Sequence, residues 1–197
     1  MKPEEINSLM AKEGNIIGEI FHLNKDYIYR KQGLEGVRKV ELKVKELTKT
    51  DFNFDKIGRF SWIPLKLCII SVLVAKEEFN LTDDDIFQMG AATAKVSFIL
   101  RLVSYLNQAE EVLKRAPSYW KRYYDFGSME IIEFDRDKKN IIVRLNDFSF
   151  HPIWCLYTAG YFLTVVNFFV KGKNMKIKET SCSHKGSNYE EYLTTWQ

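Results

Sequence analysis

The stretch "GSMEIIEFDRDKKNIIVRLNDF", Gly127 to Phe148, decides the fold class of this chain. Apolar and polar residues alternate on both sides of the polar run "DRDKKN", which is the pattern of two short strands joined by a turn. The sequence therefore predicts a β-hairpin. Directly after it, the segment from Pro152 to Val170 is apolar over nearly its whole length, which predicts a buried helix.

A second pair of alternating segments follows that helix, at Met175–Thr180 and Tyr189–Trp196, with "SCSHKGSN" between them. Two hairpins that flank an apolar helix, after a long stretch of helical patterning, indicate an α+β fold with a small antiparallel sheet. We expect one domain over residues 1–197. Its parts are N-terminal helices in 1–50, a helical bundle in 60–124, and the sheet with its central helix in 127–197.

Helical spacing of apolar residues covers most of the N-terminal half. Thr82 is expected to cap a helix whose first turn is acidic, and the small residues from Gly90 to Ala94 let another element approach that helix closely. Gly33 is expected to end the first helix. The helices predicted before Thr82 are Lys2–Lys31, Leu34–Leu47 and Pro64–Phe79.

The charge pattern argues against a nucleic-acid partner. The chain has 29 Lys and Arg against 26 Asp and Glu, and both signs are scattered along it, whereas a nucleic-acid-binding face is a basic cluster or stripe. The densest basic segment, Lys114–Tyr124, interleaves cations with aromatic rings. The aromatic rings of such a segment either stack on the bases of a single-stranded nucleic acid or pack on the core of the protein. We expect the second, with Ser118 capping a short helix.

Cysteine usage and the apolar segments indicate a cytoplasmic protein. The three cysteines lack the dense, even spacing of a secreted disulfide framework. The N-terminal segment is polar and acidic, without the apolar core of a signal peptide. The segment Pro152–Val170 approaches membrane-spanning length. It follows His151 and contains Asn167, so we expect a core helix and no membrane span.

Four segments resemble a known superfamily. They are "FQMG" (Phe87–Gly90), the hairpin, the apolar helix with its Cys155 and Gly160, and the ending "KETSCSHKGSNYEEYLTTW". They are similar to the superfamily that contains the 4-vinyl reductase-type ligand-binding domain, the haem NO-binding domain and the core subunits of the TRAPP vesicle-tethering complex. In this chain Ser187 replaces the acidic residue of the family's terminal turn, and Glu190 occupies the position of the family's second cysteine.

The resemblance implies a fold that encloses an apolar cavity, and it favours a signalling sensor or carrier domain for a small hydrophobic ligand. Two alternatives are a haem-based NO or gas sensor and a TRAPP-like scaffold subunit. Either the monomer or a homodimer fits the sequence. The helices Pro64–Phe79 and Pro152–Val170 are expected to line the pocket. The predicted ligand-binding residues are Leu67, Ile70, Leu73, Met89, Phe98, Leu102, Trp154, Tyr157, Gly160 and Tyr161.

Haem and zinc are the two cofactors that the sequence leaves open. Haem needs an axial ligand, normally histidine; the chain has only His22, His151 and His184, and none lies in the region 90–113 where the resemblance would place the ligand. We expect His151 to cap the following helix. For zinc, the candidate ligands are Cys182 and His184, with Cys155 and Glu190 as further candidates.

The segment that holds Cys182 and His184 has two other interpretations. Gly186 can supply a positive φ for a hairpin turn, and Cys182 can be a reactive thiol. The sequence contains no GxSxG, HExxH, P-loop or GxGxxG motif. The acidic run Asp83–Asp85 is explained by its place at a helix start. We therefore expect a protein that is not an enzyme.

Overall fold

A computed structural model describes residues 1–96 and 109–197 of the chain. It confirms the α+β class, with helices in the N-terminal half and a small antiparallel sheet in the C-terminal half. The helices are α1 (Pro3–Met10), α2 (Glu19–Thr48), α3 (Leu65–Glu78), α4 (Asp83–Val96), α5 (Ala109–Trp120) and α6 (Pro152–Val170). The strands are β1 (Asn15–Ile17), β2 (Trp62–Pro64), β3 (Ser128–Asp135), β4 (Asn140–Asn146), β5 (Lys176–Ser181) and β6 (Tyr189–Thr195).

The four-stranded sheet has the order β3-β4-β6-β5, and every neighbouring pair is antiparallel. Both predicted hairpins are confirmed. Alternate residues of β4 and β6 face the core, so that Val143 lies opposite Tyr192 and Leu145 lies opposite Glu190. The inward position of Glu190 is unusual, because carboxylates are rarely fully buried.

The two edge strands of this sheet are irregular. The pairing register shifts between Ile131 and Glu133 in β3, and between Glu179 and Ser181 in β5. Such bulges bend a strand and re-aim its side chains. The irregularity in β5 lies beside the turn that carries Cys182.

Helices α4 and α6 touch through their backbones. A Cβ atom built on Gly160 would lie 1.9 Å from the carbonyl oxygen of Phe87, and one built on Gly90 would lie 1.9 Å from that of Tyr157. Only glycine fits at both positions, and its Cα–H can face a carbonyl across a helix interface. The predicted close approach at Gly90 is therefore confirmed, and its partner is α6.

The prediction of one helix over Lys2–Lys31 is wrong. Strand β1 separates α1 from α2, because Ile16 pairs with Ile63 of β2 and its backbone also bridges to Tyr124. Gly33 does interrupt the helical backbone, with φ 66° and ψ −170°, but α2 continues beyond this kink to Thr48.

Two of the three helix caps predicted from the sequence are present in the structure. Asp85 receives a hydrogen bond from the backbone of Thr82 (2.9 Å) and donates its own N–H to the Thr82 hydroxyl (3.1 Å). Nδ1 of His151 accepts from the N–H of Ile153 (3.1 Å) at the start of α6. Ser118, in contrast, lies inside α5, where its hydroxyl donates to the Arg115 carbonyl (2.7 Å).

Within the described part of the chain, α6 is the one helix long and apolar enough to cross a membrane, by length and composition alone. It packs along α4 and also contacts β5 and β6. Seven of its side chains or backbone positions are buried, from Ile153 to Val166. These contacts are those of a helix in a folded core.

Candidate functional site

An apolar cavity of about 90 Å³ lies between α5, α6 and the sheet. Helix α5 contacts β3, and helix α6 contacts β5 and β6; side chains from both helices and from β3 and β4 line the space. Aromatic and branched side chains form most of its wall. The lining residues are Ile20, Thr93, Val112, Leu113, Ala116, Tyr119, Trp120, Tyr123, Tyr124, Met129, Ile131, Ile141, Val143, Tyr157, Thr158, Tyr161, Phe162, Val165, Val166 and Phe169.

One wall of the cavity carries a buried hydrogen-bond network that joins four helices. Tyr157 of α6 donates to Oδ1 of Asn24 on α2 (2.7 Å), and its hydroxyl shares a hydrogen bond with the hydroxyl of Thr93 on α4 (2.6 Å). The amide of Asn24 donates to the sulfur of Cys68 on α3 (3.4 Å). The network satisfies polar groups that burial would otherwise leave without partners.

The cavity is electrically neutral along its described lining. No Lys, Arg, His, Asp or Glu is among the described residues that form its wall. Burial raises the pKa of Tyr157 well above its ordinary value, so this phenol stays protonated at physiological pH. A neutral, mostly apolar wall suits an uncharged apolar guest.

Only part of the predicted ligand-binding set lies on this cavity. Tyr157 and Tyr161 line it. Leu67 is half-buried on α3, and Phe98 and Leu102 lie outside the described residues. The remaining predicted residues are buried elsewhere in the core: Ile70, Leu73, Met89, Trp154 and Gly160.

The cavity described here lies beside α5 rather than α3. Helix α3 packs against α1 and α2 and contributes none of the described lining residues. Side chains from several turns of α6, which was expected to line the pocket, lie on this cavity. Gly160, which the sequence placed at the ligand, instead contacts the backbone of α4. A larger residue there would separate two helices, so its substitution is no test of the cavity.

A second cluster lies where α6 meets the turn between β5 and β6. Ligand atoms of Cys155, Glu179, Cys182 and Glu190 all lie within 4.8 Å of one another; we call these four residues the acid–thiol cluster. The structure thus brings Cys182 together with Cys155 and Glu190, the further candidates from the sequence. His184 is exposed and is not a member of this cluster; the predicted pair of Cys182 and His184 stays a prediction.

Burial holds both thiols of this cluster in the protonated form when no metal is bound. It raises the pKa of Cys155 strongly, and the negative charges of Glu190 and Glu179 raise it further. The pKa of Cys182 is also raised, mainly by burial. A reactive cysteine needs surroundings that lower its pKa. The surroundings of Cys182 raise its pKa, which argues against the reactive-thiol interpretation.

Solved structures share this arrangement of helices and sheet. An H-NOX protein from S. oneidensis in the Fe(II)NO ligation state superposes with a TM-score of 0.68 at 14% identity, over 92% of this chain and 99% of the other. The Fe(II) unliganded H-NOX protein from K. algicida gives a TM-score of 0.63 at 10% identity, over 92% of this chain and 97% of the other. The chain has the H-NOX fold.

A further H-NOX domain, an oxygen-binding one related to soluble guanylate cyclases, gives a TM-score of 0.65 at 12% identity, over 91% of this chain and 94% of the other. Neither a protein-family model nor a curated protein sequence matches the chain. The H-NOX fold is therefore established by structure alone. The resemblance to 4-vinyl reductase-type domains and TRAPP subunits stays a prediction.

Two parts of the site were missed from the sequence. The rings of Tyr119, Trp120, Tyr123 and Tyr124 were expected to pack on the core, and in this H-NOX fold they also form one side of the cavity. Their amphipathic spacing was the available signal. Glu179 joins the acid–thiol cluster from an edge strand, and an alternating strand gives no sign of such a role.

Proposed function

We propose that this protein is a sensor or carrier domain that holds a small, uncharged, apolar ligand between α5, α6 and the sheet. The observation that carries the proposal is the neutral, aromatic-lined cavity of about 90 Å³. Dry apolar cavities of comparable size, about 150 Å³, bind benzene or xenon. The H-NOX neighbours, which bind NO or oxygen, support a sensing role. We propose a regulatory rather than a catalytic role, for a cytoplasmic monomer or homodimer.

Histidine-ligated haem does not fit the described residues. His22 bonds to the Ile57 carbonyl (2.7 Å), and His151 caps α6 and bonds to Glu5 (3.0 Å). His184 lies on an exposed turn. These are the only three histidines of the chain, and none lines the cavity. The described wall also offers no cation for the carboxylates of a haem.

The first prediction separates haem from an apolar ligand. Adding haemin to the purified protein is expected to give no Soret band beyond that of free haemin, because no histidine reaches the cavity. The measurement is an absorption titration, with Met129→Leu as a second sample because thioethers also bind haem iron. A stoichiometric Soret shift in the wild type would contradict the proposal, and its loss in Met129→Leu would identify the ligand.

The second prediction concerns the space itself. Ala116 lies on α5 and faces the cavity, so Ala116→Leu adds three carbon atoms to the wall and fills much of the void. We expect xenon binding, followed by xenon-induced shifts of methyl NMR signals, to weaken about tenfold or more, which corresponds to ~1.4 kcal/mol. Thermal stability should remain equal or rise, because a cavity is filled.

Ala11→Leu is the matched control, since Ala11 is exposed at the end of α1. It makes the same chemical change away from the cavity and should leave xenon binding unchanged. Equal xenon shifts in Ala116→Leu and the wild type would contradict the assigned cavity. Native mass spectrometry of the protein as purified then tests for a bound natural ligand.

A further inference from the structure

Two large aromatic side chains project into solvent at one tight turn before β2. Phe60 is 83% exposed and Trp62 is 45% exposed; we call these two residues the aromatic tip. The turn is closed by the Ser61 N–H, which donates to the Gly58 carbonyl (3.0 Å), so Phe60 is one of its two central residues. Single exposed apolar residues are ordinary on a protein surface, whereas neighbouring ones form a patch that marks an interaction site.

The fold holds the aromatic tip outward. Trp62 lies opposite Ile17 in the β1–β2 pair, so the half-buried Ile17 extends the apolar surface on the same face of that pair. The N–H of Gly18 donates to the Ser61 carbonyl (2.8 Å), and a Cβ atom built on Gly18 would lie 2.1 Å from the Gly58 carbonyl oxygen. The turn is therefore fixed to the start of α2, and it presents its rings as a projection rather than as a groove.

Unpaired positive charges lie around the aromatic tip. Arg59 is the other central residue of the turn, and Lys121 and Arg122 follow α5, where the Tyr123 carbonyl accepts from the N–H of Ile17 in β1 (2.9 Å). All three cations are exposed, and none of them forms an ion pair within the part of the chain that the structure covers. They are free to meet an external anion.

The acids of the same region are already engaged inside the protein. Asp55 pairs with a lysine of α2 (2.5 Å), and Asp51 pairs with two lysines (2.9 and 2.8 Å). Asp125 accepts two hydrogen bonds from Asn15 (2.7 and 2.6 Å). Glu19 lies in the first turn of α2, where the helix dipole compensates a negative charge. This end of the molecule is therefore suited to an anionic surface.

We infer that the aromatic tip attaches this protein peripherally to a membrane that contains anionic lipids. Tryptophan rings favour the level of the lipid head groups, and attachment strengthens with the apolar area that enters the lipid and with the attraction of cations to anionic head groups. Phe60 would enter the acyl boundary, Trp62 would lie among the head groups, and Arg59 would meet lipid phosphates. A projecting turn needs a preformed pocket in a protein partner, whereas lipid accommodates it without one.

This attachment would bring the apolar cavity close to the bilayer. Strand β1 leads into α2, whose Ile20 lines the cavity, and on the other side of β1 the cavity residue Tyr124 bridges to Ile16. Uncharged apolar molecules accumulate in lipid, so the membrane would be a reservoir for the ligand. This link rests on the proposed function, whereas the attachment itself does not.

The test is co-sedimentation of the full chain with vesicles of phosphatidylcholine and about one-third phosphatidylserine. We expect binding that weakens in high salt, because salt screens charge attraction. Phe60→Ser should lower the affinity about tenfold or more, since it removes most of the apolar area that enters the lipid. Arg59→Gln should lower it about fivefold. Leu34→Ser is the matched control, because Leu34 is 49% exposed but lies roughly 24 Å along α2 from Gly18.

Tryptophan fluorescence gives a second readout. The chain has four tryptophans; Trp120 and Trp154 are buried, and Trp196 is half-buried. A blue shift of emission on adding vesicles is therefore expected from Trp62, and Trp62→Phe should abolish the shift while it keeps most of the binding.

Two results would overturn the inference. One is folded wild-type protein that does not bind the mixed vesicles at low salt, which would leave a protein pocket as the partner of the aromatic tip. The other is equal binding by Phe60→Ser and Leu34→Ser. Xenon binding should be unchanged in Phe60→Ser, so a failure of the membrane attachment can be told apart from a failure of the proposed cavity function.

Discussion

Replacing Gly160 with alanine is expected to lower the free energy of unfolding by ~3 kcal/mol, a cost at the upper end for overpacking in a core. The added Cβ would lie 1.9 Å from a backbone carbonyl oxygen of α4, and a backbone atom cannot rotate away as a side chain can. Urea unfolding followed by circular dichroism measures the change. The melting temperature should fall by about 6–12 °C for a chain of this size.

The companion change Gly90→Ala should have a similar cost, because its Cβ meets the backbone of α6 at the same distance. The double variant is expected to cost less than the sum of the two, since the first change already separates the helices. Asn167→Ala, at an exposed position of α6, is the control and should stay within about 0.5 kcal/mol. A loss below ~1 kcal/mol for Gly160→Ala would show that the contact is looser than the structure indicates.

Tyr157→Phe is expected to lower the free energy of unfolding by about 2 kcal/mol. The change keeps the ring against the cavity and removes only the hydroxyl. Asn24 Oδ1 then loses its donor and the Thr93 hydroxyl loses one of its two partners. Water has no free route to either group, because all three residues are at most 3% exposed. The measurement is again equilibrium unfolding, with xenon binding as a check that the cavity persists.

A double-mutant cycle tests whether the cost arises from the network. Asn24→Leu removes the partner of Tyr157, so the further change Tyr157→Phe should cost clearly less in that background than in the wild type. Tyr29→Phe is a suitable control, because Tyr29 lies on the same helix as Asn24 and is 54% exposed. Additive effects of Asn24→Leu and Tyr157→Phe would contradict a shared hydrogen bond.

Much of the C-terminal half could be predicted from the sequence. The alternation around "DRDKKN" identifies β3 and β4, and the apolar run gives α6 with the bounds that the structure shows. These elements are defined by local periodicity, and each contains enough residues for the period to be evident. Gly33 and Thr82 were also informative, because backbone conformation and capping depend on residues close by in sequence.

Other features depend on contacts between distant segments. Strand β1 has three residues within an apolar pattern that also fits a helix, and its partner β2 lies more than 40 positions away. The choice of α5 over α3 as a cavity wall depends on how whole helices pack. The acid–thiol cluster draws its members from α6, β5, β6 and a turn, so Glu179 carried no local sign of its role.

The edge strand β5 has a consequence for how the protein behaves at high concentration. Its outward side chains include Lys176 and Lys178, both exposed, and its register is interrupted between Glu179 and Ser181. A charged and bulged edge is a poor template for a strand from another molecule. Concentrated solutions should therefore resist sheet-to-sheet aggregation through β5, and a homodimer, if it forms, would join through a surface other than this edge.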